Sequence, residues 1–358
     1  MLTSEQQAIT RILTQATQYR ASDVHLVPGN PPFLRVDGKL VPLDQEPVVS
    51  ADVVRGFVDG ILSESQKATL ERERDVHATV AVDGKLRFRL TAMYQKGTLS
   101  LDLRYIPDAI PTPRELGLPK SAEAFARAPH GLVLISGPYG AGRTTVLASL
   151  VNLINLERVA HILSIEQPIE FLFVSQKSVI EQREVGADVP TIGHALTLTD
   201  MEDVDVIAIG ELDSTEDMRA CVHALHSGKL IIATITADSA VQAIERLVNA
   251  FSPADQPTVR KELADALQGV LNLRLVPRVG GGRVLVAEVF TPAAATRAVI
   301  RDGQFLQLAN AMQTSRQDGT ESLDRTLAEL VRVGDILPQD AEAVALDPAS
   351  LRNIVSRG

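Results

Sequence analysis

The sequence predicts an α/β protein with a mostly parallel, doubly covered sheet domain, preceded by a small α+β domain and finished by a helical C-terminal part. Three observations predict it. Apolar strand-like runs alternate with helical patterns through the middle of the chain, a pattern that requires right-handed βαβ crossovers. Two Asp-Gly pairs join alternating runs in the first hundred residues, the mark of antiparallel hairpins. At 358 residues the chain is too long for one ordinary core and comfortable for two.

In chain order, residues 3–20 carry apolar side chains at Ala8, Ile9, Ile12, Leu13 and Ala16, the stripe of a helix. SDVHLV and FLRVDGKLVPL read as strands, the latter folded back at Asp37-Gly38. HATVAV and KLRFRLTAMY form a second hairpin around Asp83-Gly84, and LSLDLRYIP adds another strand. Residues 1–105 are therefore expected to form an antiparallel sheet with helices against it. Three prolines in IPDAIPTPREL make residues 106–116 an extended, stiff linker. Residues 117–358 are expected to form the second domain, with strands GLVLIS, AHILSI, DVIAIG and KLIIATI. Helices follow from Thr144, from Ser214, and through Ile244 and Leu247. Further helices are expected over 255–271 and 321–332, and the tail from Ile336 reads as a loosely packed terminal helix.

Composition excludes several functions. A hydrophobic share of 45% with 4% aromatics and no Trp describes a globular chain whose cores are aliphatic. A net charge of −10 argues against broad nucleic-acid binding. One cysteine, Cys221, excludes an internal disulfide and a tetra-cysteine zinc site, and it reads as a small buried hydrophobe. His223 and His226 share a helix face without a third metal ligand nearby. The first twenty residues show no basic start followed by an apolar run, and no stretch of about 18 apolar residues occurs, so membrane contact is expected only through partners.

The string that carries chemistry is GPYGAGRTT: Gly137, Pro138, Tyr139, Gly140, Ala141, Gly142, Arg143, Thr144 and Thr145. It follows an apolar strand and opens a helix, so its backbone N–H groups can wrap phosphate at a helix N-terminus, with the Thr144 hydroxyl placed for Mg²⁺. Arg143 stands where such loops carry lysine. A guanidinium is planar and larger than the compact ammonium that reaches β- and γ-phosphates, so the change is not conservative.

Further strings extend a resemblance over nearly the whole chain. Residues 22–40 (SDVHLVPGNPPFLRVDGKL), RFRLTAMYQ leading to LRYIP, SIEQPIEF (164–171), EQREVG (181–186), DVIAIGEL (205–212), ATRAVIRDG (295–303) and residues 312–334 supply the matching strings. They are similar to signatures of the PilT/PilU group of type IV pilus retraction (twitching motility) ATPases, within the secretion-ATPase superfamily. The resemblance implies a RecA-like P-loop NTPase domain behind a PAS-like domain, with ATP or ADP and Mg²⁺ as cofactors. It implies a homo- or hetero-hexameric ring, cytoplasmic and peripheral to the inner membrane. Its implied partners are other PilT-like ATPases and the inner-membrane pilus platform protein. It implies that Glu166 and Glu211 act on water and metal, that Arg89 and Arg104 face a neighbouring subunit's nucleotide, and that Arg297 and Arg301 lie on a retraction-associated helix. Extension motors of the superfamily fit less well, because they usually carry a tetra-cysteine zinc site.

Six positions depart from the family pattern: Arg143, Gln167 for the acidic-box aspartate, Thr197 and Met201 for two arginines, and Lys229 and Thr236 for two histidines. On this reading all six concern chemistry and none concerns folding. Two readings follow: a subunit that binds ATP weakly or keeps the fold without efficient hydrolysis, as an accessory or regulatory partner of an active retraction ATPase, and an active motor with an altered catalytic set. The six departures favour the first.

Overall fold

The computed structural model describes residues 4–82, 86–314 and 319–356. The chain divides into one unit of Met1–Ala109 with Pro168–Leu172, and a second of Ile110–Gln167 with Phe173–Gly358.

In the first unit, α1 (Ser4–Gln18) precedes β1 (Asp23–Leu26), β2 (Phe33–Val36) and β3 (Lys39–Pro42), followed by α2 (Ala51–Ile61), α3 (Glu64–Glu73), β4 (Asp75–Val82), β5 (Leu86–Gln95) and β6 (Thr98–Ile106). The strands form one sheet in the order β3-β2-β1-β6-β5-β4, antiparallel throughout. The expected stripe of α1 is buried at Ile9, Ile12, Leu13 and Ala16, sharing a core with Val54 and Phe57 of α2 and Val24, Leu90 and Leu103 of the sheet. Asp37 and Gly38 adopt φ of 48° and 82°, the left-handed conformations that a tight hairpin turn needs. Asp83-Gly84 lies outside the described residues, although the flanking strands β4 and β5 pair antiparallel.

Pro168–Leu172 departs from the linear division at residue 117. It joins the first unit because the β4 and β5 side chains grip its backbone. Thr79 Oγ1 donates to the Ile169 carbonyl at 2.7 Å and Arg87 Nη1 to the Glu170 carbonyl at 2.6 Å.

The second unit runs α4 (Lys120–Ala126), β7 (Gly131–Gly137), α5 (Arg143–Glu157), β8 (His161–Glu166), β9 (Val179–Glu184), α6 (Ile192–Leu198), β10 (Val206–Ile209), α7 (Thr215–Ala224), β11 (Leu230–Thr236), α8 (Ala240–Asn249), α9 (Gln256–Ala266), β12 (Leu267–Pro277) and β13 (Arg283–Phe290). Helices α10 (Ala294–Asp302), α11 (Phe305–Thr314), α12 (Leu323–Arg332), α13 (Pro338–Glu342) and α14 (Pro348–Ser356) follow. The sheet order is β13-β12-β7-β11-β10-β8-β9, and only the β12–β13 pair is antiparallel. Along β7, Leu132 and Leu134 enter one core cluster while Val133 and Ile135 enter the other, so the strand is apolar on both faces. No helix among the described residues is long and apolar enough to cross a membrane.

Two expectations are corrected. The helix expected over 255–271 stops at Ala266, and Leu267–Pro277 is a strand. Its neighbour β7 lacks a partner on that edge without it, and pairing there satisfies a row of buried backbone groups. Gly269 marks the strand: a Cβ at this position would sit 2.0 Å from the Phe125 ring, which lies across the backbone. The tail is not loosely packed. Ile336, Ala341 and Leu351 are buried with Leu323 and Leu327 of α12 and Val276 and Val286 of the β12–β13 hairpin. Asp324 fastens it by accepting the backbone N–H groups of Leu346 and Asp347 at 2.9 and 3.0 Å.

Candidate functional site

Parallel strands β7, β8, β10 and β11 all end at one edge of the sheet, and the expected chemistry collects there. The chain leaves β7 at Gly137 and enters α5 at Arg143. Gly137, Gly140 and Gly142 take φ of 149°, 78° and 93°, conformations that L side chains rarely adopt. Gly142 begins α5 without any side-chain cap, so the first-turn N–H groups of this 15-residue helix have no side-chain partner at their N-cap. A Cβ at Gly140 would meet nothing within 4 Å, which leaves the loop's approach open. These features fit a phosphate cradle: amides and the positive end of a helix, with the half-buried hydroxyls of Thr144 and Thr145 beside them.

The Arg143 side chain is only 12% exposed and turns to the end of the neighbouring strands. Its Nη1 donates to Glu211 Oε1 at 2.6 Å and to Thr236 Oγ1 at 2.8 Å. Thr236 Oγ1 in turn donates to Glu211 Oε1 at 2.9 Å, and Thr234 Oγ1 lies 2.8 Å from Glu211 Oε2 while also reaching the Gly210 carbonyl. Both carboxylate oxygens are therefore engaged. The Thr236 carbonyl is held by Arg246 of α8. Glu166 ends β8 beside Gly210, buried, and accepts from Ser164 Oγ at 2.7 Å and Gln182 Nε2 at 3.3 Å. Gln167, next along the chain, is exposed at the same sheet edge.

The departures from the family pattern do not stay together. Arg143, Gln167 and Thr236 lie at the loop edge. Lys229 precedes β11, at the opposite end of a seven-residue strand and so roughly 20 Å from Thr236. There its Nζ lies 3.7 Å from Asp200, the neighbour of the exposed Met201. Thr197 spends its hydroxyl on the Gly193 carbonyl of its own helix at 3.0 Å. Three of the six departures, Arg143, Gln167 and Thr236, therefore lie at the phosphate edge of this chain.

Arg89 and Arg104 stand directly opposite each other on β5 and β6 of the first unit. Each is paired there, Arg89 with Glu170 at 3.0 Å and Arg104 with Asp23 at 2.8 Å, which offsets the repulsion of two facing cations. Arg297 and Arg301 of α10 grip the end of α9. Arg297 donates to the carbonyls of Ala264 and Asp265, and Arg301 pairs with the Asp265 carboxylate at 2.7 Å. Cys221 is buried, and burial pushes its thiol up to about 12, which makes it inert as a nucleophile. His223 meets Phe251 edge to face and His226 pairs with Glu262, and no group of metal-ligating side chains forms among the described residues.

Sequence reasoning missed the buried polar network under the loop. Asn272 Nδ2 donates to Ser136 Oγ at 2.9 Å and to the Ala237 carbonyl at 3.1 Å, tying the last residue before the loop to the turn after β11. Arg274 bonds Asn272 Oδ1 and the Asp238 carbonyl, and Glu288 accepts the Ala240 N–H at the start of α8. Asn272 was the available signal, a lone amide in the apolar run LNLRLV.

Burial holds the Glu288 carboxyl neutral up to about pH 7, against 4.5 for a free glutamate. An acid raised in the fold binds its proton more tightly folded than unfolded. Stability is thus unaffected below the unfolded value and is lost as pH rises through this window. Glu288→Gln is expected to gain up to about 3 kcal/mol over the parent at about pH 8 and almost nothing at about pH 4.5. Urea denaturation of both proteins at the two pH values checks this; a gain independent of pH contradicts it.

An uncapped glycine loop between a parallel strand and its helix, with a carboxylate at the next strand end, defines the P-loop class of α/β proteins. A family model for Type II/IV secretion system protein matches residues 3–281. The chain belongs to that family. It is 34% identical over 340 residues to the type IV pilus retractation ATPase PilT of Pseudomonas aeruginosa, covering 95% of this chain and 98% of the relative. It is 34% identical over 352 residues to the type IV pilus ATPase PilU of the same organism, covering 97% and 91%. The crystal structure of the pilus retraction motor PilT with bound ADP superposes with a TM-score of 0.83 at 35% identity, over 96% of this chain and 99% of that one.

Proposed function

We propose that this chain is a PilT-like subunit of a type IV pilus machine that binds ATP or ADP and hydrolyses ATP poorly, as an accessory or regulatory partner of an active retraction ATPase. The observation that carries this reading is the Arg143–Glu211 pair. The loop cation is bonded to the carboxylate that the family uses at the metal end of the phosphates, so each is withdrawn from its task. The backbone amides of the cradle from Gly137 to Thr145 would hold the phosphates, and the Thr144 hydroxyl would be the ligand offered to Mg²⁺. Glu166, buried and held by Ser164, would orient the attacking water if nucleotide is bound at the loop. The subunit sits in a homo- or hetero-hexameric ring in the cytoplasm. It reaches the inner membrane through the pilus platform protein, and Arg89 and Arg104 exchange their present carboxylate partners for a neighbour's nucleotide.

The second reading, an active motor with an altered catalytic set, is favoured by one observation: Glu166 and Glu211 both remain at adjacent strand ends. Calorimetric ATP binding and phosphate release by the purified protein, with Glu211→Gln as control, separate the two. Binding with turnover no higher than the control is expected. Turnover that the control abolishes supports the motor instead.

A further inference from the structure

Two of the three loop-edge departures meet on one carboxylate. We infer that Thr236 is a positioning residue that, with Glu211, latches the Arg143 guanidinium, so that a polyphosphate gains this cation only by displacing a carboxylate from it. The inference rests on the nucleotide reading of the loop and adds what sets the affinity there.

The geometry is specific to these residue types. A hydroxyl accepts and donates at once, and Thr236 does both, taking an N–H from Arg143 at 2.8 Å and giving its O–H to Glu211 at 2.9 Å. With the direct bond of 2.6 Å the three side chains close a ring. Thr234, two residues earlier on the same face of β11, lies beside the other carboxylate oxygen and the Gly210 carbonyl, and Arg246 fixes the Thr236 backbone. The carboxylate is thereby held in place for the guanidinium, so the pair forms without ordering two free side chains. An incoming phosphate competes with a preorganised anion for Arg143. Weakening the latch must therefore strengthen phosphate binding, the reverse of what a mutation that damages a binding site does.

The test measures the affinity of the full-length protein for a fluorescent ADP analogue, with inorganic pyrophosphate as competitor. Thr236→Val keeps shape and removes both hydrogen bonds; Glu211→Gln keeps shape and removes the charge. Each is expected to tighten binding about tenfold, and Thr236→Ser, which retains the hydroxyl, to keep the parent value. In an Arg143→Ala background neither change tightens binding. The latch is overturned, with the nucleotide reading intact, if Thr236→Val and Glu211→Gln bind no more tightly than the parent while Arg143→Ala binds more weakly. It is also overturned if the tightening persists without Arg143. If the parent and every variant fail to bind, or Gly137→Ala binds like the parent, the nucleotide reading falls and the latch with it.

Discussion

Gly137→Ala is expected to abolish nucleotide binding and to destabilise the second unit by roughly 2–5 kcal/mol. Two costs combine. Gly137 has φ of 149°, a backbone region that an L side chain rarely enters. A Cβ built there lies 2.7 Å from the Leu273 carbonyl oxygen and 2.9 Å from Ala141 Cβ. The first contact is backbone of β12, paired to β7 in register up to Asn272 and Ser136, so it cannot retreat without opening the ladder. The second is the loop itself, which must shift and so loses its path around phosphate. Gly140→Ala is the matched control, since φ of 78° costs it about 1 kcal/mol but its Cβ meets nothing within 4 Å. Thermal denaturation and ADP titration of the three proteins check the ordering. A Gly137→Ala protein with the parent's melting temperature and affinity contradicts the loop geometry.

The second large effect concerns turnover. Restoring Arg143→Lys, Gln167→Asp and Thr236→His together is expected to raise ATP hydrolysis by about 100-fold or more, because each position lies at the phosphate edge and about 1.4 kcal/mol of transition-state stabilisation is tenfold. Arg143→Lys alone is expected to give less than about tenfold. A lysine in place of the guanidinium loosens the hold on Glu211, but it restores neither the aspartate's charge nor the histidine. Lys229→His is expected to leave the rate within about twofold, since its position lies at the far end of β11 with no shared partner. Phosphate release by the four proteins decides it. A single Arg143→Lys change that recovers the full gain shows that Gln167 and Thr236 matter little.

The asymmetry between legible and hidden features has a physical origin. The loop was legible because a phosphate cradle is built from consecutive residues, with glycines where φ must be positive and a helix immediately after. The antiparallel first sheet was legible for the same local reason, through the Asp37-Gly38 turn and alternating runs. Strand β12 was not, because its Leu-rich stretch continues the helical pattern of α9, and only the vacant edge of β7 makes it extended. The assignment of Pro168–Leu172 to the first unit was likewise out of reach, since it depends on Thr79 and Arg87, about 80–90 residues away.

By itself the sequence determined the α/β class, the glycine cradle, the family strings and which positions depart from them. Each of these is a property of neighbours in the chain. Only the tertiary structure decided which departures act together. It brought Arg143, Glu211 and Thr236 within hydrogen-bonding distance and carried Lys229 and Met201 to the other end of the sheet. The reason is the parallel sheet itself: residues 68 and 93 positions from Arg143 meet it because their strands end at one edge, while a residue seven positions before Thr236 is a whole strand away.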